Sequence, residues 1–437
     1  MSRRTAFILG NAMIFVALAS TSVIHATRHD YSVVGTSRFV WDIAYLVLLV
    51  LMSYAFGLPD ATEDRSPLFT AIFAGSAAGL GISAAQLFLG SALLPRFVVF
   101  TTAGIVVVSW TLIVRAYQRG GGATSDADRV VFVGSARDAV TLRTDIRYAP
   151  ERRAVLVATL AVDDACPVGR GDEPLVDVVI DNDASVLVLG RDVQRDRGVV
   201  TQASTLHESG IRVRTLTDFY AEWLGKLPAF ELQRMSLMFD IREVHEKRYA
   251  RLKRLLDVVA GLLAGFVLVL VLPFVWIGNL LANRGPLFYR QDRVGASGRT
   301  FSMLKFRTMR TSESTHWTSD DDPRVTPFGR VLRRTHLDEL PQAVNILRGE
   351  LSIVGPRPEQ PQYVATLVEC LPFYKLRHLV RPGLTGWAQV KYGYAADEHD
   401  ALQKLQYDFY YLQQQSLGLD LRIMARTMRS VVGADGS

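Results

Sequence analysis

The chain has 437 residues and only two cysteines, Cys166 and Cys370, far apart in sequence. That excludes a disulfide framework, so the bulk of the chain is expected to face a reducing compartment. No CxxC pair and no His/Cys cluster offers a zinc site. No cleavable leader is expected either: the first apolar run is too long, and its end, SVIHATRHD, lacks a small-residue cleavage site. A dinucleotide fingerprint needs three glycines, for the tight turn, the pyrophosphate approach and the helix packing. The turn GSARDA (134–139) has only Gly134. An acidic excess is likewise absent. The formal net charge is +6, which suits an anionic membrane face, nucleic acid or phosphate-bearing substrates. No recognisable RNA-binding motif with aromatic platforms accompanies the basic residues, so nucleic acid is not an expected partner.

Apolar residues are abundant. They make up 49% of the chain, and the mean hydropathy is +0.16. Four runs, at about residues 5–24, 39–58, 68–87 and 97–117, each approach the ~20 residues that cross a hydrocarbon core. A single run could be a buried helix, but four in succession with short polar links predict four membrane helices. Asp42, near the start of the second run, is expected to reach the interface. With the N-terminus inside, Arg3, Arg4, Arg65, Arg115 and Arg119 lie on the cytoplasmic side and Arg28, Arg38 and Arg96 outside, in the sense of the positive-inside rule.

GGGATSDAD (120–128) reads as a linker. After it, apolar runs RVVFVG (129–134), RAVLVATL (153–160), DASVLVLG (183–190) and IRVRTL (211–216) alternate with helical stretches. Strands alternating with helices predict a parallel, Rossmann-like sheet. With its incomplete fingerprint, a cofactor-free regulatory or structural role is expected. A fifth apolar run, residues 255–281, is long enough to span. Arg251, Lys253 and Arg254 precede it and Arg284, Arg290, Arg293 and Arg299 follow. Basic flanks on both sides conflict with a simple crossing, and Pro273 inside the run removes a helix hydrogen bond. A re-entrant helix bent at Pro273 meets both facts.

Residues 286–309 read as two short strands around a GASG turn. Beyond them lie DPRVT (322–326), LRRTHLDELPQ (332–342), GPRPE (355–359), RPGLTGWAQV (381–390) and YDFYY (407–411). Leu337, Leu340, Val344 and Leu347 recur at helical spacing before Gly349, which predicts a helix starting near Asp338 and running to about Arg348. Acids near a helix start are ordinary, because the dipole favours them there. Adjacent helical residues diverge, so Asp338 and Glu339 are badly arranged to share a proton and well arranged to divide labour: one attacks, the other binds a metal. The helix start is expected to keep Asp338 ionised. Arg324, Arg333, Arg334, Arg357 and Arg381 come from separate segments, two of them stiffened by proline, and guanidinium forks suit phosphate.

KFRTM, DPRVT, LRRTHLDELPQ, GPRPE and RPGLTGWAQV, in this order, resemble the bacterial sugar transferases, the monotopic polyprenyl-phosphate sugar-1-phosphate transferases, from about residue 248 to 432. The preceding spans and α/β segment, with LTDFYAEWLGKLP (216–228), resemble the long branch that initiates exopolysaccharide or O-antigen units. The resemblance implies a mostly helical catalytic domain on a re-entrant membrane helix, and transfer of a sugar 1-phosphate from a UDP-sugar to undecaprenyl phosphate, releasing UMP. It implies Asp338 as the nucleophile forming an aspartyl phospho-sugar intermediate, and Glu339 as a Mg²⁺ ligand. It implies Lys305, Arg307, Arg324, Arg334, Arg357 and Arg381 as phosphate-binding, and Asp408 as a further site acid. Leu272 stands where some relatives carry a small polar residue before the helix-breaking proline.

The expected layout is four transmembrane helices (1–119), a Rossmann-like α/β domain (120–228), a linker with the re-entrant helix (229–284) and the catalytic domain (285–437). The expected location is a bacterial inner membrane, embedded in lipid with the catalytic domain cytoplasmic. A homodimer is compatible with this reading. Rival readings are a membrane-bound nucleotide-sensing regulator with an inactive transferase domain, and a transporter. The intact acid pair and arginine set speak against the first. The lack of broken repeats in the spans speaks against the second. The basic amphipathic stretch 419–432 is expected either on the membrane surface or packed on the catalytic helices.

Overall fold

The computed structural model describes residues 3–34, 37–56, 58, 67–89, 94–119, 127–147, 151–167, 172–228, 247–283, 285–309, 324–371, 373–392 and 398–432. Most of the expected linker 120–128, together with Arg65, Arg284 and the Asp322–Pro323 part of DPRVT, lies outside them. The chain divides into two compact units, Met1–Ala127 and Asp128–Ser437.

The first unit holds helices α1 (Arg3–Arg28), α2 (Ser37–Ala55), α3 (Pro67–Leu89) and α4 (Arg96–Arg119). Its polar groups point inward: the Thr21 and Thr102 hydroxyls lie 2.7 Å apart and Tyr45 donates to the Val99 carbonyl. Its outer faces are apolar, with Ile8, Phe15, Val40, Val47, Leu80, Phe100 and Leu112 exposed. Small residues allow the close packing usual between membrane helices; a Cβ on Gly10 would fall on the Trp110 ring. Asp42 departs from expectation. It is buried in the bundle and accepts a hydrogen bond from Ser22 at 2.9 Å, because a carboxylate beside a hydroxyl on the neighbouring helix is satisfied without reaching water.

In the second unit, β1 (Asp128–Val133), β2 (Ala154–Leu160), β3 (Val186–Leu189) and β4 (Arg212–Thr215) form a parallel sheet of order β2-β1-β3-β4. Both faces of β1 are buried, Val130 and Phe132 in one core, Val131 and Val133 in the other, as a covered parallel sheet requires. At the carboxyl ends of β1 and β3, where such folds bind ligands, Gly134 and Gly190 pack backbone on backbone. Asp138 occupies the first turn of the following helix, α5 (Ala136–Arg147), where a pyrophosphate would want positive potential.

The α/β part and the remainder lie within one compact unit. Glu151 takes Arg426 in a bidentate pair at 2.7 and 2.9 Å and Lys391 at 2.7 Å. The Trp387 indole donates to the Gly225 carbonyl, and buried Lys226 joins Asp145 to Gln403.

Helix α6 (Lys247–Gly278) contains Pro273 without ending there, and a π-turn Asn279–Asn283 follows. Arg254 donates to the Ile346 and Leu347 carbonyls, and Asp257 accepts from the Ser352 hydroxyl and the Ile353 amide. Gly261 abuts Leu347 and Gly278 abuts Phe328; Val271, Leu272 and Val275 pack with Phe306, Leu332 and Leu340. These contacts recur at helical spacing, so one stripe of α6, before and after Pro273, lies on the same body. The rest is largely apolar and exposed, with Leu255, Leu262, Phe266, Val269, Phe274 and Trp276 on α6 and Leu281 on the π-turn. Three stretches among the described residues are long and apolar enough to cross a membrane: Thr5–Arg28, Arg96–Tyr117 and Tyr249–Asn283.

The expected hairpin is present, β5 (Phe288–Val294) pairing with β6 (Thr300–Phe306). The last helix, α7 (Leu417–Val432), buries Leu419 and Ile423 in the core, and its Thr427 bonds Thr385 at 2.6 Å. Of the two expected positions for this stretch, packing is the one observed.

Candidate active site

Thr326 caps a short helix, α8 (Pro327–Arg334), by accepting from the Gly329 amide. The chain then turns through His336 in the left-handed region, φ 53°, an uncommon conformation for a residue with a Cβ. Asp338 and Glu339 follow on a 3₁₀ turn, Leu337–Gln342, and the α-helix proper is α9 (Ala343–Arg348). The expected continuous helix is thus shorter. Pro341 has no N–H to give and its ring excludes the carbonyl four residues back, which favours the tighter turn. Asn345 ties this segment to β6: its Oδ1 accepts from the Leu304 amide and its Nδ2 donates to the Ser302 carbonyl. The next residue of β6 is Lys305, and its Nζ meets Glu339 Oε1 at 2.6 Å.

The environments of the two acids push their pKa values apart. Burial, then the neighbouring Glu339 charge, raise Asp338 above the ordinary aspartate value, against opposition from Lys305, Arg333 and His336. Burial pushes Glu339 up as well, but Lys305 and Arg357 outweigh it and hold Glu339 below the ordinary range. The net shift of Asp338 thus runs against the expectation that a helix start favours its ionised form. The turn is short, and burial beside a like charge exceeds its weak dipole. Such divergence between adjacent groups marks a division of roles.

Arg357 reaches this pair from a loop that is tied down along its length. Four consecutive carbonyls each accept from outside the loop: Pro356 from the Gly383 amide, Arg357 from Arg377, Pro358 from Arg293, and Glu359 from the Val294 amide. The loop follows β7 (Ser352–Val354), which pairs in parallel with β8 (Gly383–Thr385). Backbone meets backbone here. A Cβ on Gly383 would lie 2.1 Å from the Gly355 nitrogen and 2.3 Å from the Thr385 oxygen. Gly383→Ala is expected to cost about 1–3 kcal/mol as an overpacking change and to loosen the Arg357 loop. A thermal unfolding midpoint that fails to drop in the purified variant would refute this.

The structure brings Asp338, Glu339, Lys305 and Arg357 together with Arg333, whose Nε donates to the Thr308 hydroxyl. Arg334, the neighbour expected in this role, is exposed, as is Arg381 at the entry to β8. Arg324 sits just before the Met309–Val325 bridge. Arg307 is a clamp rather than an open fork: it donates to the carbonyls of Pro286 (2.7 Å), Met309 (3.3 Å) and Asn283 (2.5 Å), closing the exit of α6. Asp408 is not at the acid pair. It is buried and takes Arg377 through two hydrogen bonds, 3.1 and 2.8 Å. Arg377 also donates to the Arg357 carbonyl at 3.0 Å, so the pair holds the phosphate-loop candidate from behind. Sequence reading passed over Arg377 and Asp257; a lone acid inside an apolar run was the available signal for the latter.

Residues 248–434 match the model of the family described as Bacterial sugar transferase. Over 190 residues the chain is 39% identical to a UDP-glucose:undecaprenyl-phosphate glucose-1-phosphate transferase of Caulobacter vibrioides, covering 42% of this chain and 71% of the relative. The chain belongs to the bacterial sugar transferase family. It is also similar to a UDP-N-acetylgalactosamine-undecaprenyl-phosphate N-acetylgalactosaminephosphotransferase of Aeromonas hydrophila, 36% identical over 50% of this chain and 58% of the relative. An undecaprenyl-phosphate glucose phosphotransferase of Komagataeibacter xylinus is 32% identical over 69% of this chain and 59% of its own length. The chain thus spans little more than half of these last two relatives. The matched family region contains the acid pair, Lys305, the Arg357 loop and α6.

Proposed function

We propose that this sugar transferase moves a sugar 1-phosphate from a UDP-sugar to undecaprenyl phosphate, as the first membrane step of an exopolysaccharide or O-antigen pathway. The observation that carries the reading is the acid pair with opposed electrostatic environments, Glu339 held ionised by Lys305 and Arg357, Asp338 raised beside it. A carboxylate of raised basicity is the better nucleophile once deprotonated. An oxygen of Asp338 attacks the β-phosphorus; the bond from that phosphorus to the oxygen bridging to UMP breaks, and UMP leaves. An oxygen of the lipid phosphate then attacks the same phosphorus and Asp338 is released. Lys305 and Arg357 face the charge that develops on the phosphoryl oxygens, and phosphoryl transfer asks for little more than such positioning and neutralisation.

Among the described residues no three-ligand His/Cys/Asp/Glu cluster could cage a metal. Two adjacent carboxylates nevertheless fit Mg²⁺, which is usually held by one or two carboxylates plus substrate phosphates. Glu339 is the residue to hold it, and the ion when bound neutralises phosphate charge.

The inward polar groups and apolar outer faces of α1–α4 support four membrane spans, of which α1 and α4 are by themselves long and apolar enough to cross among the described residues. In this reading the catalytic body lies on the cytoplasmic side of a bacterial inner membrane. One stripe of α6 packs on that body along its whole length, which supports an embedded re-entrant helix over a crossing. The β2-β1-β3-β4 order supports a Rossmann-like domain, and the Gly134–Gly190 packing a cofactor-free one. A homodimer is compatible with this arrangement. The test is UMP release from a panel of UDP-sugars with Mg²⁺ and undecaprenyl phosphate. Release with one sugar is expected and names the donor. Folded protein that releases UMP from none would favour a regulator with an inactive transferase domain.

A further inference from the structure

One cation beside the Arg357 loop has no task in the account so far. Lys404 lies on α10 (Glu398–Gln413), one helical turn before Asp408 and on the same face. It is half-buried and faces Glu359, Arg357, Asp408 and Arg377. Neither acid is its direct partner. Asp408 is taken by Arg377 in a buried pair, and Glu359 lies 3.7 Å from Arg293. The Lys404 ammonium makes no hydrogen bond among the described residues. Holding a lysine part-buried beside two arginines is unfavourable. Burial, with Arg357 and Arg377, drives its pKa below the ordinary lysine value despite the two acids. Arg293, on β5, completes the group. It is half-buried, its Nε has no partner among the described residues while its other nitrogens donate to the Pro358 carbonyl and to Gln291, and it too feels the Arg357 charge. Four cations, Arg293, Arg357, Arg377 and Lys404, therefore share this region with two acids, Glu359 and Asp408.

Arg357 links this cluster to the acid pair electrostatically. Its charge is felt by Glu339 of that pair and by Lys404 and Arg293 of the cluster. The loop that carries it is fastened through four carbonyls, so the spacing between the two groups is set by the scaffold. A diphosphate has the matching chemistry: two phosphates in succession, for cations grouped about one arginine.

We propose that Lys404, next to Arg357, seats the phosphate that stays with the nucleoside, so that the diphosphate runs from the acid pair at its sugar end to Lys404 at its nucleotide end. This rests on the transfer reading above. In the bond-breaking step negative charge accumulates on the departing nucleoside monophosphate, and a cation there stabilises the transition state as well as the bound substrate. Its effect should therefore divide between kcat and KM for the donor.

The experiment uses the full chain in detergent or nanodiscs, with Lys404→Met, which keeps length and removes charge, and Lys404→Arg, which keeps charge. For Lys404→Met the expected result is a roughly 10- to 100-fold fall in kcat/KM for the UDP-sugar, the range of one charge-assisted hydrogen bond. Inhibition by UMP should weaken by a similar factor, KM for undecaprenyl phosphate should stay as in wild type, and Lys404→Arg should recover most of the loss. The unfolding midpoint of Lys404→Met should equal or exceed that of wild type, since a part-buried charge is removed. Unchanged UMP inhibition in Lys404→Met, alongside normal wild-type turnover, would overturn the assignment and leave the transfer reading intact. A raised KM for undecaprenyl phosphate with unchanged UMP inhibition would assign Lys404 to the acceptor phosphate and also overturn it. Wild-type protein with no UMP release would instead sink the transfer reading.

Discussion

Asp338→Asn is expected to abolish turnover and the covalent phospho-sugar intermediate, while the protein unfolds at the same temperature as wild type or a higher one. Removal of an attacking group as central as this one lowers kcat by roughly 10⁴–10⁶-fold in enzymes that act through a covalent intermediate. The stability half of the expectation follows from the sign of the shift. Asp338 has a folded-state pKa above its ordinary value, from burial and from Glu339. Its ionised form is thus disfavoured by folding. This cost is absent below the unfolded pKa, grows as pH rises from there through the folded pKa, and is fully present above it. An amide of the same shape removes it. Glu339 has the opposite sign: its stabilising contribution is present above the ordinary glutamate range and is lost as pH falls through its depressed folded pKa. The acid limb of kcat/KM in wild type should accordingly lie above the ordinary aspartate value. An Asp338→Asn protein that still forms a phospho-sugar adduct, or that unfolds well below wild type at neutral pH, would remove Asp338 from this role.

Much of this was legible in the chain because the relevant patterns are local. Alternating apolar strands and helical stretches implied the parallel sheet, the GASG turn implied the hairpin, and Asp338 and Glu339 stood out as an acid pair among arginines. What was not legible is what each arginine touches. Arg307, Arg357 and Arg377 look alike as letters, each within a few residues of other basic or turn-forming positions. Arg307 spends its donors on three carbonyls at the end of α6. Arg377 meets a carboxylate thirty-one residues further along the chain, and Arg357 alone turns toward the acid pair. Long-range pairing decides these roles, and helical or strand periodicity carries no record of it. The same holds for the turn at His336, where a non-glycine residue at positive φ aims the acids and no glycine marks the spot.

Asp408→Ala is the second large effect expected, and it separates a structural acid from a substrate-binding one. Asp408 and Arg377 are almost fully buried, with side chains 3% and 6% exposed. Removing one member of a buried pair leaves an uncompensated charge, which costs about 3–5 kcal/mol. Here the stranded charge would be Arg377, whose remaining partners are the Tyr374 hydroxyl and the Arg357 carbonyl. Asp408→Ala should therefore lower the unfolding midpoint markedly and lower kcat/KM too, because the Arg357 loop loses its anchor. The double variant Arg377→Met with Asp408→Leu discriminates between the two roles. An apolar pair of similar volume often restores the stability of a buried ion pair, since both desolvation costs vanish. If Asp408 acts only through Arg377, the double variant should regain most of the stability and a substantial part of the activity, the Arg357 loop keeping its ties at Pro356, Pro358 and Glu359. If stability returns while activity stays as low as in Asp408→Ala, the carboxylate itself meets substrate or metal, and the role as a support behind the loop is wrong.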